Sequence, residues 1–263
     1  MGDLPASGPL TLDLDTPHSA LAIGAHPDDI EFGCGGTLAK WAAAGSLVHL
    51  LVLTDGSKGS WDPGADLPRL VAQRTDECRA AARVLGGRGE DSALDEGRLS
   101  LLGRSDGELE NTADERLEVV RVIRTVRPAV VLGHDPWRRY RLHPDHRAAG
   151  WITTDALVAA RDPHFFAELG LTPHRPGSLL LWEADRVNHV EDVAAFAATK
   201  IDALLCHHSQ FESTMGIGPE ALTGDAARAA RSEFAAKVHR QLAEHGSLAG
   251  LTSGEAFHLM TDL

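Results

Sequence analysis

The 263-residue chain is poor in cysteine and aromatic residues: three Cys, one Tyr and an aromatic share of 5%. Cys34, Cys78 and Cys206 are odd in number and widely scattered, with no Cys-x-x-Cys spacing. They therefore set up neither a disulfide framework nor a thiolate metal site, and they read as small buried hydrophobes. No apolar run approaches the roughly 18 residues that a membrane-crossing helix needs. The opening stretch, residues 1–17, lacks the basic start and apolar core of a signal peptide, so a cytoplasmic location is expected. Basic charge is short as well: 25 Lys and Arg against 38 Asp and Glu leave a net charge of −13. Without a strong basic patch, that field excludes nucleic acid and anionic membranes as main partners. Arg138-Arg139-Tyr140-Arg141 is too short to supply one. Three catalytic signatures are also missing. Gly33-x-Gly35 is followed by Leu38 where a dinucleotide-binding loop needs its third glycine, Gly56-Ser57-Lys58 lacks the upstream glycine of a phosphate loop, and Ser209 sits in no nucleophile elbow.

What is present alternates. Residues 1–17 read as a loose, Gly/Pro/Ser-containing leader, and 18–263 as a single catalytic domain. Apolar runs at Ala20–Ala25, Leu47–Leu53, Ala129–Gly133 and Ser178–Trp182 have the near-continuous hydrophobicity of strands covered on both faces. Weaker strands are expected near Ser92–Leu94, Arg186–Val190 and Ala256–Met260. Helices are expected at Thr37–Ala44, behind a bend at Gly33-Cys34-Gly35-Gly36, and at Leu67–Leu85, Asp114–Val126, Pro144–Arg161, Val193–Leu205 and Asp225–His245. Ser209–Gly224 is polar and glycine-bearing, a candidate lid. The pattern predicts an α/β fold: a Rossmann-like, doubly wound, mostly parallel sheet with helices on both faces. Such sheets bind ligands beyond the carboxyl ends of strands, where the strand order reverses.

Two of these strands lead into clusters of ionisable residues. Ala20–Ala25 is followed by His26-Pro27-Asp28-Asp29, and Ala129–Gly133 by His143-Pro144-Asp145-His146. Read singly, His26 is an ordinary loop histidine, and Asp28 and Asp29 are acidic groups at a helix start. Together, behind strands that flank the switch point, they form one site from segments about 120 positions apart. His26, Asp29 and His146 make a three-ligand set of the kind that leaves a catalytic metal one open position. Asp28, beside the metal but not on it, is the natural general base. His143 faces the same way as His146, from which a substrate carbonyl or oxyanion can be held. His/Asp ligands accept Zn2+, Fe2+ and other divalent ions alike.

These motifs, with Glu31, Gly35-Gly36-Thr37-Leu38, Arg74-x-x-Glu77, Leu85-Gly86, Asp106-Gly107, Lys200 and His208-Ser209-Gln210, resemble the PIG-L/LmbE-like family of zinc-dependent N-deacetylases over roughly residues 20–215. The resemblance implies His26, Asp29 and His146 as zinc ligands, Asp28 as general base and His143 as transition-state stabiliser or general acid. It makes Asp145 a group that orients an imidazole, and Arg74 a substrate-contacting or structural arginine with an ion pair to Glu77 as its alternative. Some members carry a tyrosine two residues before the first histidine of the second motif. Here Arg141 stands there and Tyr140 precedes it, so either is a candidate to polarise the substrate carbonyl. Trp61 and Trp137 are candidates for a sugar-stacking wall, with core packing as the alternative.

The expected function is removal of an N-acetyl group from an amino-sugar substrate such as an N-acetylglucosaminyl conjugate, releasing acetate. Cleavage of a larger acyl group or of a thiol conjugate is the alternative within the same chemistry. A non-catalytic sugar- or nucleotide-binding module and a two-metal phosphoesterase are alternatives from other classes. The expected partner is a small N-acetylated sugar; a homo-oligomer is left open.

Overall fold

The computed structural model describes residues 10–86, 98–218 and 223–263. In chain order the strands are β1 (Thr11–Leu12), β2 (Ser19–Gly24), β3 (Leu47–Thr54), β4 (Leu99–Arg104), β5 (Val130–His134), β6 (Ser178–Trp182), β7 (His189–Asp192) and β8 (Gly254–Met260). They form one sheet in the order β1-β7-β8-β6-β5-β2-β3-β4. All neighbours pair in parallel except β8, which runs antiparallel to both β6 and β7. The helices are α1 (Asp29–Ala43), α2 (Leu67–Leu85), α3 (Ala113–Val126), α4 (Pro144–Arg161), α5 (Ala197–Leu204) and α6 (Gly224–Ser247).

Alternation along β2 builds the two layers. Ala20 and Ala22 face a core shared with Ile30, Leu38 and Trp41 of α1 and with Cys78, Ala81 and Leu85 of α2. Leu21 and Ile23 point to the opposite face, against Val119, Val120 and Ile123 of α3 and Ala149, Ile152 and Ala156 of α4. A strand covered on both sides must be apolar at every position, and β2 is wholly buried. Local signals fix the helix starts. Asp66 accepts the Arg69 N–H and Thr112 the Glu115 N–H, each as an N-cap. Pro144 opens α4, where its missing N–H costs nothing. The order reverses between β2 and β5, paired in register from Ala20↔Val130 to Ile23↔Gly133, so the two His-Pro-Asp segments leave the sheet side by side.

Several sequence expectations are corrected. Part of the expected loose leader is ordered as an edge strand: Thr11 and Leu12 pair with His189 and Val190. The first helix starts at Asp29, and the expected glycine-rich bend is a kink inside it rather than a turn ahead of it. A Cβ on Gly33 would sit 2.5 Å from the Trp182 ring, and one on Gly36 2.9 Å from Val193. These glycines serve close approach. The only irregularity is Cys34 (φ −147°, ψ 19°), where α1 is kinked. The strand expected near 92–94 lies outside the described residues, whereas β4 at Leu99–Arg104 went unread. The helix expected at Val193–Leu205 is a 3-10 turn at Ala194–Phe196 followed by α5. Among the described residues no helix is long and apolar enough to cross a membrane.

Candidate metal centre and active site

Past the ends of β2 and β5, His26, Asp29 and His146 turn their polar atoms toward one another. His26 Nδ1 is 3.2 Å from His146 Nε2 and 3.3 Å from Asp29 Oδ2, and His146 Nε2 is 3.2 Å from Asp29 Oδ1. Ligands about 2.0–2.1 Å from a tetrahedral zinc lie about 3.3–3.4 Å apart. Each pairwise contact is close to that spacing, with His26 and His146 meeting different oxygens of Asp29.

The neighbours set the ring orientations. His26 Nε2 is 3.1 Å from Asp145 Oδ2 and 3.1 Å from Asp106 Oδ1. A carboxylate cannot donate, so Nε2 carries the proton and the Nδ1 lone pair is free for a metal. Asp145 is itself fixed by the Gly107 and Leu109 N–H groups, at 2.6 and 3.3 Å. Asp145 thus stands where a carboxylate can orient the His26 imidazole. Its companion Asp106 stands just past β4, the unread strand. Burial opposes protonation of His26, yet the carboxylates of Asp106, Asp145 and Asp29 outweigh it and push the imidazole pKa up to about 12. A bound dication takes the place of such a proton. Burial likewise works against the Asp29 carboxylate, but His146 and His134 hold it well below the usual range.

Asp28 is the N-cap of α1 with φ 110°, a left-handed conformation, and is 6% exposed. Burial raises its carboxyl to about 6, against the pull of Arg74, whose Nη2 lies 3.7 Å from Oδ1. Arg74 lines the cavity and takes the structural one of its expected roles. Instead of pairing with Glu77 it is buried, donating to the Pro27 carbonyl at 2.6 Å and the Gly56 carbonyl at 2.8 Å. It fixes the loop that carries Asp28, and Glu77 is taken by Ser209 and Gln73. His143 accepts the Asp145 N–H on Nδ1 at 3.3 Å. Neutral His143 therefore keeps its proton on Nε2. Burial lowers its pKa.

These groups line a cavity of about 650 Å³. His26, Asp28, Asp29, His143 and His146 form its floor, and Trp61, Gln210, Ser213, Thr214, Lys237 and Gln241 lie among its walls. Gln210, Ser213 and Thr214 come from the expected lid segment, whose described residues include part of a 3-10 turn at His208–Gln210 and a π turn at Phe211–Met215, residues 219–222 lying outside the described residues. Tyr140 and Arg141 do not line the cavity, which corrects their reading as substrate contacts. Tyr140 points outward, 91% exposed. Arg141 is drawn back by its charge toward Glu183 Oε2, with Nη1 3.1 Å from His146 Nδ1 and 3.3 Å from His134 Nδ1. A metal on His146 Nε2 leaves the proton on Nδ1, and guanidinium only donates. Only the His134 contact suits that state. Of the two tryptophans, Trp61 faces the cavity, whereas Trp137 packs edge-on against Trp151 at 5.2 Å.

Comparison with known proteins fits this arrangement. Residues 21–157 match the PIG-L family, described as GlcNAc-PI de-N-acetylase. Diacetylchitobiose deacetylase of Thermococcus kodakarensis is 37% identical over 194 residues, 73% of this chain and 69% of that protein. The 1D-myo-inositol 2-acetamido-2-deoxy-alpha-D-glucopyranoside deacetylase of Streptomyces scabiei is 34% identical over 65% of this chain and 58% of its own length. Among solved structures, the N,N′-diacetylchitobiose deacetylase of Pyrococcus horikoshii superposes with a TM-score of 0.78 at 26% identity, covering 93% of this chain and 84% of that one. By its family match and by the first of these relatives, the chain belongs to the PIG-L family.

Proposed function

We propose that the protein is a zinc-dependent hydrolase that removes the N-acetyl group from a small amino-sugar conjugate and releases acetate. The observation that carries this reading is the convergence of His26, Asp29 and His146, with contacts of 3.2–3.3 Å, beside the buried Asp28 and the cavity-lining His143. The likeness to enzymes named as deacetylases of diacetylchitobiose and of an inositol-linked acetamido sugar supports the substrate class. A divalent ion held by those three residues supplies Lewis-acid polarisation of the amide carbonyl and lowers the pKa of water toward about 7.

The chain's own groups account for the proton movements. Asp28 takes the proton of the attacking water, a role worth about 10²–10⁴-fold in rate. Its burial makes the carboxylate more basic, and Arg74 keeps its loop in place. His143 lines the cavity, its Nε2–H able to hydrogen-bond the developing oxyanion, and Asp28 then passes to the leaving nitrogen the proton it took from water. An amine leaves only when protonated, so this transfer completes the reaction: one water and one amide give one acetate and one free amine. Trp61 offers a flat face for a pyranose ring. The test is acetate release, followed by mass spectrometry, from N,N′-diacetylchitobiose and N-acetylglucosaminyl-inositol by zinc-loaded protein. Turnover of at least one is expected; a fully metallated protein that releases acetate from no N-acetyl sugar overturns the proposal.

A further inference from the structure

We infer that His134, at the end of β5, is a positioning residue whose Nε2–H holds the Asp29 carboxylate in its metal-binding pose, with its tautomer set by the Trp182 indole. The inference rests on the metal-site reading above. His134 is 1% exposed and stacks on His146, ring centroids 4.5 Å apart and planes 18° from parallel. An indole nitrogen donates and never accepts, and Trp182 Nε1 lies 3.1 Å from His134 Nδ1. The Arg141 guanidinium, also a donor only, lies 3.3 Å from the same nitrogen. Nδ1 is therefore the acceptor, and the proton sits on Nε2. That nitrogen is 3.2 Å from Asp29 Oδ2. The Ala25 N–H also approaches Nε2, at 3.4 Å, but two donors on Nδ1 and a carboxylate on Nε2 outweigh that longer contact.

Two consequences follow. Asp29 Oδ2 receives donors from the His26 backbone at 2.7 Å and from His134, so Oδ1, facing His146, is the oxygen left for the metal. In addition, although His134 lies within reach of Asp29 and His146 in a ligand-like group, it has no lone pair to offer from Nε2. It orients a ligand instead of being one. Partners of this kind are worth about 10–100-fold in metal affinity.

The experiment measures zinc affinity by chelator competition, with thermal melts of the metal-free proteins alongside, for wild type, His26→Ala, His134→Ala, His134→Gln and Trp182→Phe. Glutamine can extend an amide N–H to about the position of Nε2. His134→Ala is expected to bind zinc about 10–100-fold more weakly, His134→Gln to recover most of the loss, and Trp182→Phe to fall between. Wild-type affinity in folded His134→Ala overturns the positioning role while leaving the site reading intact. Equal, weak affinity in wild type and His26→Ala overturns the site reading itself. Should His134→Ala not fold, His134→Gln binding no more tightly than His26→Ala overturns the inference, and near-wild-type binding supports it.

Discussion

Lys200 on α5 and Glu255 on β8 form a buried ion pair, and breaking it tests how the site's first helix is held. Nζ lies 2.6 Å from Glu255 Oε1 and donates to the Phe32 carbonyl at 2.7 Å. Glu255 in turn accepts the Gly36 N–H at 2.9 Å and the Thr37 N–H at 2.7 Å. These groups sit on either side of Cys34, where α1 departs from helical geometry. The pair satisfies the backbone that the kink sets free, two donors below it and one acceptor above. Lys200→Met leaves a carboxylate 1% exposed without its cation. Removing one partner of a buried pair costs about 3–5 kcal/mol. The double variant Lys200→Met/Glu255→Gln removes both charges and keeps an acceptor for one amide, so its cost falls to about 1–2 kcal/mol, that of lost neutral hydrogen bonds. Urea unfolding, read from midpoints at constant slope, measures both. A single variant within about 1 kcal/mol of wild type, or a double variant as unstable as the single, refutes this account of the kink.

Four further outcomes are expected. Asp28→Asn keeps its metal but loses about 10²–10⁴-fold in kcat; near-normal turnover removes Asp28 from the mechanism. Because Asp28 must be ionised to act, the acid limb of kcat/KM should fall at or below about pH 6, a bound dication drawing it lower. A limb centred well above pH 7 assigns the base to another group. The same raised pKa has a stability consequence: folded Asp28 holds its proton above the ordinary carboxylate range, so its ionisation destabilises the fold as pH rises from about 4 to 6. Metal-free Asp28→Asn should therefore melt higher than metal-free wild type at pH 7.5 and no higher below pH 4, the reverse pattern counting against the burial argument. Gly33→Ala drives a methyl to 2.5 Å from Trp182 and should cost about 1–3 kcal/mol by overpacking; an unchanged melting temperature shows that the contact relaxes freely.

Much of the site was legible because its chemistry is concentrated in two short segments after apolar strands. His26, Asp28, Asp29, His143 and His146 needed only the switch-point rule to be brought together. The groups that orient them were harder to read. Asp106 follows β4, whose residues show no clean alternation and are only half-buried in the sheet, so Asp106-Gly107 was legible as a family motif but not as a neighbour of His26. The place of His134 depends on Trp182, 48 residues away and adjacent only through sheet pairing, which the sequence does not display. Arg141 was assigned to substrate by position alone, but Glu183 on the neighbouring loop draws its charge inward. The bend read in the glycines of α1 is there as the kink at Cys34, but the sequence records only the missing Cβ and not the ring that packs against Gly33. Local pattern thus reached the elements and the reacting groups, and long-range contacts settled orientation.

The most direct measurement is metal stoichiometry by elemental analysis after zinc loading and desalting, for wild type and for His26→Ala, Asp29→Ala and His146→Ala. The account predicts one zinc per wild-type chain, sharply lowered occupancy in each variant, and loss of acetate release in step with the metal. Full occupancy in all three variants, or two zinc ions per wild-type chain, contradicts it.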